Sequence, residues 1–280
     1  MAERGERVDI GGRSLRAVRA GPADAGPLIV CEHGAFGCAA DWAVVQEKLT
    51  ARGLRSLAYD RAGLGLSDPG PDPRVGTAIN ADLDALLAVI GETGPIVLVG
   101  HSMGGLMVRL YALTHPERVI GLVLVDAVTP DVLTLRGGER AIRSFGRLLD
   151  VASVAARYGL MVPVSLFSAR LIGLTGEAAR EKQRIHASHP HARAAAAEVA
   201  SWPETSALAG AAELPSAMPV AVVTAGADHA RHTLKRVQEA PALKSARGHV
   251  EHVARCNHAS LLGPRFADAV VRGVEHVLRA

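Results

Sequence analysis

The sequence predicts an α/β fold in which a mostly parallel central sheet carries helices on both faces. Runs that are apolar throughout, such as residues 27–31 and 119–125, are typical of strands buried on both sides of a parallel sheet. Segments with apolar residues at helical spacing, such as 79–90, separate these runs. Because parallel neighbours need a crossover connection, the alternation of the two patterns up to residue 126 favours a parallel sheet.

The first elements follow in chain order from residue 7. Residues 8–10 and 15–18 are predicted to form a hairpin around the turn Gly11-Gly12. The further strands of this half are predicted at 27–31, 54–59, 96–99 and 119–125, and its helices at 42–52, 79–90 and 106–113.

Residues 127–218 interrupt the alternation with three or four helical patterns and with turns at Gly159, Gly176 and His189-Pro190. We interpret this stretch as a helical cap inserted into a core domain that comprises residues 1–126 and 219–280. Alternation then resumes, with strands predicted at 219–224 and 249–254 and helices at 232–240 and 264–278.

Composition excludes several classes of protein. The chain has 31 basic and 28 acidic residues among 280, and its arginines are scattered, so nucleic acid is not an expected partner. The charged first residues and the lack of a long apolar run predict a cytoplasmic protein without a membrane span. Three cysteines without a Cys-x-x-Cys pair indicate reduced thiols. No prediction of oligomeric state follows from the sequence.

The stretch 97–105 carries the strongest chemical signal. An apolar run ends at Gly100, Ser102 follows, and Gly104 opens a helical segment. A strand that turns this sharply into a helix holds the serine in a strained conformation, and side chains two residues to either side would collide. The pattern therefore predicts a nucleophile elbow, with the neighbouring backbone N–H at a helix N-terminus where negative charge is stabilised.

Four separated motifs together resemble the α/β-hydrolase superfamily, and in particular its serine esterase-like members with a helical cap. They are the elbow at 100–105, His33-Gly34 followed by Trp42, the D-x-x-G-x-G-x-S loop at 60–68, and His258 followed by Pro264. The resemblance covers nearly the whole chain and implies the α/β-hydrolase fold with a catalytic serine, acid and histidine in that chain order.

By this resemblance Ser102 is the nucleophile and His258 the base that takes its proton. Asp228, after the strand that begins at residue 219, is the favoured acid, and Asp126 at the end of the preceding strand is the alternative. The adjacent His101 is interpreted as structural. So is His33, which is expected to hold the oxyanion loop.

The oxyanion hole is expected from the backbone N–H groups of Met103 and, by resemblance, Ala35. Five side chains are candidates for an apolar substrate pocket: Phe36, Phe145, Leu149, Met161 and Phe167. Acyl transfer through a serine needs no cofactor, so none is expected. The histidines at 186, 189 and 191 have no carboxylate or cysteine placed to complete a metal site, and no metal is predicted.

Serine at position 102 argues against the dehalogenases and epoxide hydrolases of the superfamily, whose nucleophile is aspartate. The leading prediction is hydrolysis of carboxylic esters with small to medium apolar acyl groups through an acyl-serine intermediate. Lactonase, thioesterase, amidase and carbon–carbon hydrolase activities use the same residues and remain alternatives. A small-molecule receptor or regulator with little turnover is the alternative from a different class of protein.

Overall fold

The computed structural model describes residues 4–226 and 232–280 of the chain. Its eight strands form one sheet in the order β1-β2-β4-β3-β5-β6-β7-β8. The two pairings of β2 are antiparallel and all others are parallel. The strands are β1 (Glu6–Asp9), β2 (Ser14–Ala20), β3 (Leu28–Glu32), β4 (Ser56–Tyr59), β5 (Ile96–His101), β6 (Val119–Val125), β7 (Val220–Ala225) and β8 (Gly248–Val253). The predicted fold class is therefore confirmed.

Ten α-helices lie within the described residues, in addition to short 3₁₀ turns at Ala39–Trp42, Pro130–Thr134 and Ser260–Leu262. The helices are α1 (Ala43–Thr50), α2 (Gly76–Val89), α3 (Gly104–Thr114), α4 (Gly138–Arg157), α5 (Val162–Ile172), α6 (Gly176–His186), α7 (His189–Ala200), α8 (Trp202–Ala209), α9 (His232–Lys244) and α10 (Ala267–Arg279).

Two apolar layers cover the two faces of the sheet, because successive strand residues point to opposite sides. Within β5, Val97 and Val99 join the layer under α1 and α10, whereas Ile96 and Leu98 join the opposite layer. All four side chains are fully buried. Burial of an aliphatic side chain of this size contributes about 1.5–3 kcal/mol, so the apolar strand runs account for much of the stability of the core.

Five helices, α4 to α8, lie between β6 and β7, where the sequence predicts three or four helical patterns. The turn predicted at His189-Pro190 is wrong, since these residues begin α7. Proline is well suited to the first helical turn because its missing N–H would have no partner there. Helix α9 likewise continues through Pro241 to Lys244, beyond the predicted end at residue 240.

None of the helices in the described ranges is long and apolar enough to cross a bilayer. The thiols of Cys31, Cys38 and Cys256 are free.

Candidate active site

Ser102 lies at the sharp turn between β5 and α3, with a positive φ of 55°. A Cβ atom at Gly100 would lie 2.6 Å from Val108 Cγ2, and one at Gly104 would lie 2.5 Å from the Glu32 carbonyl oxygen. Real Cβ atoms essentially never approach so closely, so both positions require glycine. This is the backbone geometry that the glycine spacing predicts for a nucleophile elbow.

Neighbouring loops fix the position of the serine. The Ser102 N–H donates to the Val125 carbonyl oxygen at 3.2 Å, and the Val128 N–H donates to the Ser102 carbonyl oxygen at 2.8 Å. On the other side, a Cβ atom at Gly34 would lie only 2.8 Å from the Ser102 Cβ. The loop that follows β3 therefore passes directly over the serine.

The backbone N–H groups of Ala35 and Met103 have no hydrogen-bond acceptor within residues 4–226 and 232–280. Met103 is the residue immediately before α3, so its N–H belongs to the partial positive charge of a helix N-terminus. Two such donors beside a serine can stabilise the negative oxygen that forms when the serine attacks an acyl carbon. Both residues are the ones that the sequence predicts for the oxyanion hole.

His258 approaches the serine from the loop between β8 and α10. Its side chain is 51% exposed and lines the same cavity as Ser102. The Nδ1 atom lies 2.6 Å from Asp126 Oδ2. A hydrogen bond donated from Nδ1 leaves Nε2 as the nitrogen that can accept a proton.

Asp126 follows β6 directly and has a positive φ of 41°. Its Oδ1 accepts hydrogen bonds from the Ala225 N–H at 3.3 Å and from Gln238 Nε2 at 3.2 Å, while Oδ2 contacts His258. Burial by itself would raise the pKa of this carboxyl, but the hydrogen bond and charge of His258 oppose it and the net pKa is lowered. The carboxylate is therefore ionised at neutral pH, and both of its oxygens have hydrogen-bond partners.

Asp228, the acid that the sequence favours, lies outside the described residues. Of the two candidate acids, the alternative, Asp126, is the one that contacts His258 in the described part of the chain.

His101 contacts the loop that carries His258. Its Nε2 lies 3.1 Å from the His258 carbonyl oxygen, and the two imidazole rings are 4.4 Å apart. Burial, together with the neighbouring His258, lowers the pKa of His101 to about 3. A neutral His101 can donate from Nε2 to this carbonyl, which is a structural contact of the kind the sequence predicts for this residue.

A buried arginine ties the loop after β3 to helix α7. The Arg61 guanidinium donates to the carbonyl oxygens of His33 at 2.6 Å and Gly34 at 3.1 Å. It also pairs with Glu32 at 2.5 Å and with Glu198 at 2.6 Å, and all three charged side chains are almost completely buried. His33 adds a contact between its own Nδ1 and the Gly34 carbonyl oxygen at 2.9 Å. Together these contacts hold the backbone that carries the Ala35 N–H.

A second buried ion pair forms one wall of the cavity beside this loop. Lys182 of α6 pairs with Asp41 and lies 3.0 Å from His186 Nε2. All three side chains line the cavity that contains Ser102. Burial would lower the pKa of Lys182, but the Asp41 carboxylate outweighs it and the net pKa is raised. The ammonium group is therefore charged.

The cavity at Ser102 has a volume of about 380 Å³. Of the five side chains that are candidates for the substrate pocket, Phe36, Phe145, Met161 and Phe167 line this cavity. The prediction is wrong for Leu149, which lines neither this cavity nor the adjoining one. One helical turn beyond Phe145, it is buried among the apolar side chains between α4, α7 and the core.

A second apolar cavity, of about 470 Å³, adjoins the first, and both are lined by Phe145 and His258. Asp126 and Gln238 line this second cavity, whereas Ser102 lines the first. His258 therefore stands between two apolar spaces. The two cavities can therefore hold the two parts of a substrate, one on each side of the bond that is cleaved.

Metal ligation receives no support from the described ranges, which contain no group of three or more His, Cys, Asp or Glu residues arranged to hold an ion. Of the three histidines noted in the sequence, His186 and His191 stack at 5.5 Å, and both lie against the ring of Phe36. His189 instead contacts Ser153 on α4.

Several residues of the site were missed by sequence reasoning. Glu32 and Arg61 had a usable signal, since each closely follows an apolar run and the carboxyl ends of neighbouring parallel strands meet at one sheet edge. Glu198, Lys182 and Gln238 had no such signal, because their partners are more than 100 residues away along the chain.

Comparison with known proteins agrees with the fold. A sequence model of the family described as alpha/beta hydrolase fold matches residues 27–233. The chain is 41% identical over 101 residues to the sn-1-specific diacylglycerol lipase ABHD11 of Mus musculus, covering 36% of this chain and 32% of that protein. It is 33% identical over 130 residues to the cis-3-alkyl-4-alkyloxetan-2-one decarboxylase of Xanthomonas campestris, covering 43% of each. The chain thus matches less than half the length of these curated relatives.

The similarity to solved structures extends over nearly the whole chain. A thermophilic esterase from Thermogutta terrifontis superposes with a TM-score of 0.71 at 21% identity, covering 99% of both chains. The enol-lactonase from Burkholderia xenovorans superposes with a TM-score of 0.68 at 18% identity, covering 98% of this chain and 100% of that one. At these identities the similarity establishes the fold.

Proposed function

We propose, because the chain belongs to the alpha/beta hydrolase fold family, that it is a serine hydrolase cleaving carboxylic esters through an acyl-serine intermediate. A relative named as a lipase and structural neighbours named as esterase and lactonase support hydrolase activity. The observation that carries the proposal is the contact between His258 Nδ1 and Asp126 Oδ2 beside a cavity that Ser102 and His258 share.

In the proposed mechanism, His258 Nε2 takes the proton of the Ser102 hydroxyl as its oxygen attacks the acyl carbon. Asp126 keeps the Nδ1 proton in place and stabilises the imidazolium that forms. The backbone N–H groups of Ala35 and Met103 donate to the developing oxyanion. His258 then protonates the leaving alcohol.

Deacylation repeats these steps with water as the nucleophile. His258 takes a proton from water, the resulting hydroxide attacks the acyl-serine, and Ser102 leaves with the proton returned from the imidazolium. The acid is released and the resting protein is restored. Arg61 acts by positioning the loop that carries Ala35, because it binds the two carbonyl oxygens just before that N–H.

The volume and lining of the cavity support a proposal for the size and polarity of the substrate. Phe36, Met161 and Phe167 provide apolar surface, and a volume of about 380 Å³ suits a small to medium acyl group. The ion pair of Lys182 with Asp41 is one polar part of the wall. We therefore propose esters of small to medium apolar acids as the substrate class.

The test is hydrolysis of nitrophenyl esters from acetate to decanoate by the purified protein and its Ser102→Ala variant. Turnover that requires Ser102 and peaks at short to medium chains supports the proposal. The Ser67→Ala variant is the matched control, since that serine also accepts and donates hydrogen bonds but lies outside the cavity. Equal turnover by the Ser102→Ala variant contradicts the proposal.

A further inference from the structure

Exposed apolar side chains are concentrated in one segment of the chain. Among the described residues, ten of the twelve large apolar side chains that are exposed lie between positions 148 and 171, on α4, α5 and the turn that joins them. We call this set the cap face: Leu148, Val151, Val154, Tyr158, Leu160, Val162, Val164, Leu166, Phe167 and Leu171. The remaining two, Val89 and Leu243, lie far apart in the sequence. A soluble protein rarely exposes so many apolar side chains together unless the surface binds something.

The cap face also carries positive charge. Residues 147–171 contain three arginines, Arg147, Arg157 and Arg170, and one acidic residue, Asp150, all of which are exposed. The Arg170 guanidinium lies 5.7 Å from the centre of the exposed Phe167 ring. Apolar and cationic side chains on one surface are the combination that binds the interface of an anionic bilayer.

The cap face includes the entrance to the cavity at Ser102. Val164, Phe167 and Leu171 are exposed on the cap face, and the same three side chains line the cavity. A surface that covers the cap face would therefore lie directly over the entrance.

We propose that the cap face docks on the surface of an anionic lipid bilayer, with α5 and the α4–α5 turn in the headgroup region. A second copy of the chain fits less well, because a two-fold interface would bring together two faces that each carry more arginines than acidic residues. The docking itself is independent of the proposed ester hydrolysis. Only its consequence, that apolar esters enter the cavity from the lipid phase, rests on the proposed function.

Vesicle flotation tests the docking without any turnover, using the Ser102→Ala protein. The vesicles are phosphatidylcholine alone and phosphatidylcholine mixed with phosphatidylserine. We expect the protein to float with the anionic vesicles and added salt to weaken the binding, since salt screens the arginines.

Two pairs of variants make the test specific to the cap face. Val151→Asp and Leu160→Asp place a charge on this face without touching the cavity, and each is expected to lower vesicle affinity about tenfold. Val89→Asp and Leu243→Asp, at similarly exposed positions elsewhere, are expected to leave it unchanged. The same four substitutions are also made in the protein that retains Ser102. The rate at which these variants hydrolyse a water-soluble ester tests the proposed function separately from the docking.

Three results would overturn the docking proposal. The protein could fail to float with either kind of vesicle, or all four aspartate variants could weaken binding equally. The third is a dimer in vesicle-free solution, detected by light scattering, that Leu160→Asp dissociates, because the cap face would then be an interface between two copies.

Discussion

Replacing Asp126 with asparagine is the most informative single change at the candidate site. The substitution preserves size and retains an oxygen that can accept from the Ala225 N–H and from Gln238, so the fold should survive. What changes is the contact at 2.6 Å with His258 Nδ1. An amide NH₂ facing Nδ1 donates a hydrogen bond, which moves the imidazole proton to Nε2.

An imidazole with its proton on Nε2 cannot accept the Ser102 proton. In a serine protease that uses a Ser-His-Asp triad, replacing the aspartate with asparagine lowers kcat by about 10⁴-fold. We expect Asp126→Asn to lower kcat by about 10³–10⁴-fold with little change in KM. The assay is steady-state hydrolysis of a short nitrophenyl ester, with urea denaturation as a check on folding.

Asp228→Asn is the matched variant, because it makes the same chemical change at the acid that the sequence favours. Retained activity in Asp228→Asn and a large loss in Asp126→Asn would support the assignment. If Asp126→Asn keeps activity within a few-fold of the original protein while Asp228→Asn loses it, the role of Asp126 in catalysis is refuted.

Further variants test the buried ionisable side chains. Arg61→Met leaves two buried carboxylates unpaired and should lower the free energy of unfolding by about 3–5 kcal/mol in urea denaturation, whereas an unchanged midpoint would contradict the ion-pair network. Lys182→Met should destabilise by a similar amount of about 3–5 kcal/mol, and adding Asp41→Asn should recover part of the loss; no recovery would mean that the pair is not coupled. Burial lowers the pKa of His191 to about 3, so its contribution to stability is complete above the unfolded value of about 6.5 and declines as the pH falls toward 3. When the pH is lowered from 7 to 5, the free energy of unfolding should therefore fall by about 2 kcal/mol less in the His191→Gln variant than in the original protein. An equal fall in both proteins would contradict a buried neutral imidazole.

The strands and the elbow could be predicted because their signals are local. A buried parallel strand must be apolar on both faces, as Ile96 to Val99 are, and the elbow needs glycine at positions 100 and 104 for steric reasons that two or three residues express. The start of α7 was missed for a local reason as well, since His189-Pro190 suits both a turn and a first helical turn.

The acid was harder to choose from the sequence, because Asp126 and Asp228 both follow strands that end at the same edge of the sheet. Which carboxylate reaches His258 depends on how the chain turns after its strand. Asp126 turns through a positive φ of 41°, which few non-glycine residues adopt and which no neighbouring residue in the sequence indicates.

Contacts between segments that are distant along the chain could not be predicted from the sequence. Arg61 and Glu198 are 137 residues apart, and only the packing of α7 on the core makes them partners. The same holds for the cavity wall, where Phe145 reaches the open space but Leu149, one helical turn further on, is buried among other helices. Helical spacing predicts a shared face and does not predict where along that face a cavity ends.

Ser102 is expected to carry the acyl group of the substrate between the two halves of the reaction, and this intermediate can be trapped and observed. The protein is mixed with a nitrophenyl ester, quenched in acid, digested and analysed by mass spectrometry. We expect one acyl group on the peptide that contains Ser102, and none in the Ser102→Ala variant. An acyl group on another residue, or turnover of the ester without any acylated peptide, would contradict the proposed mechanism.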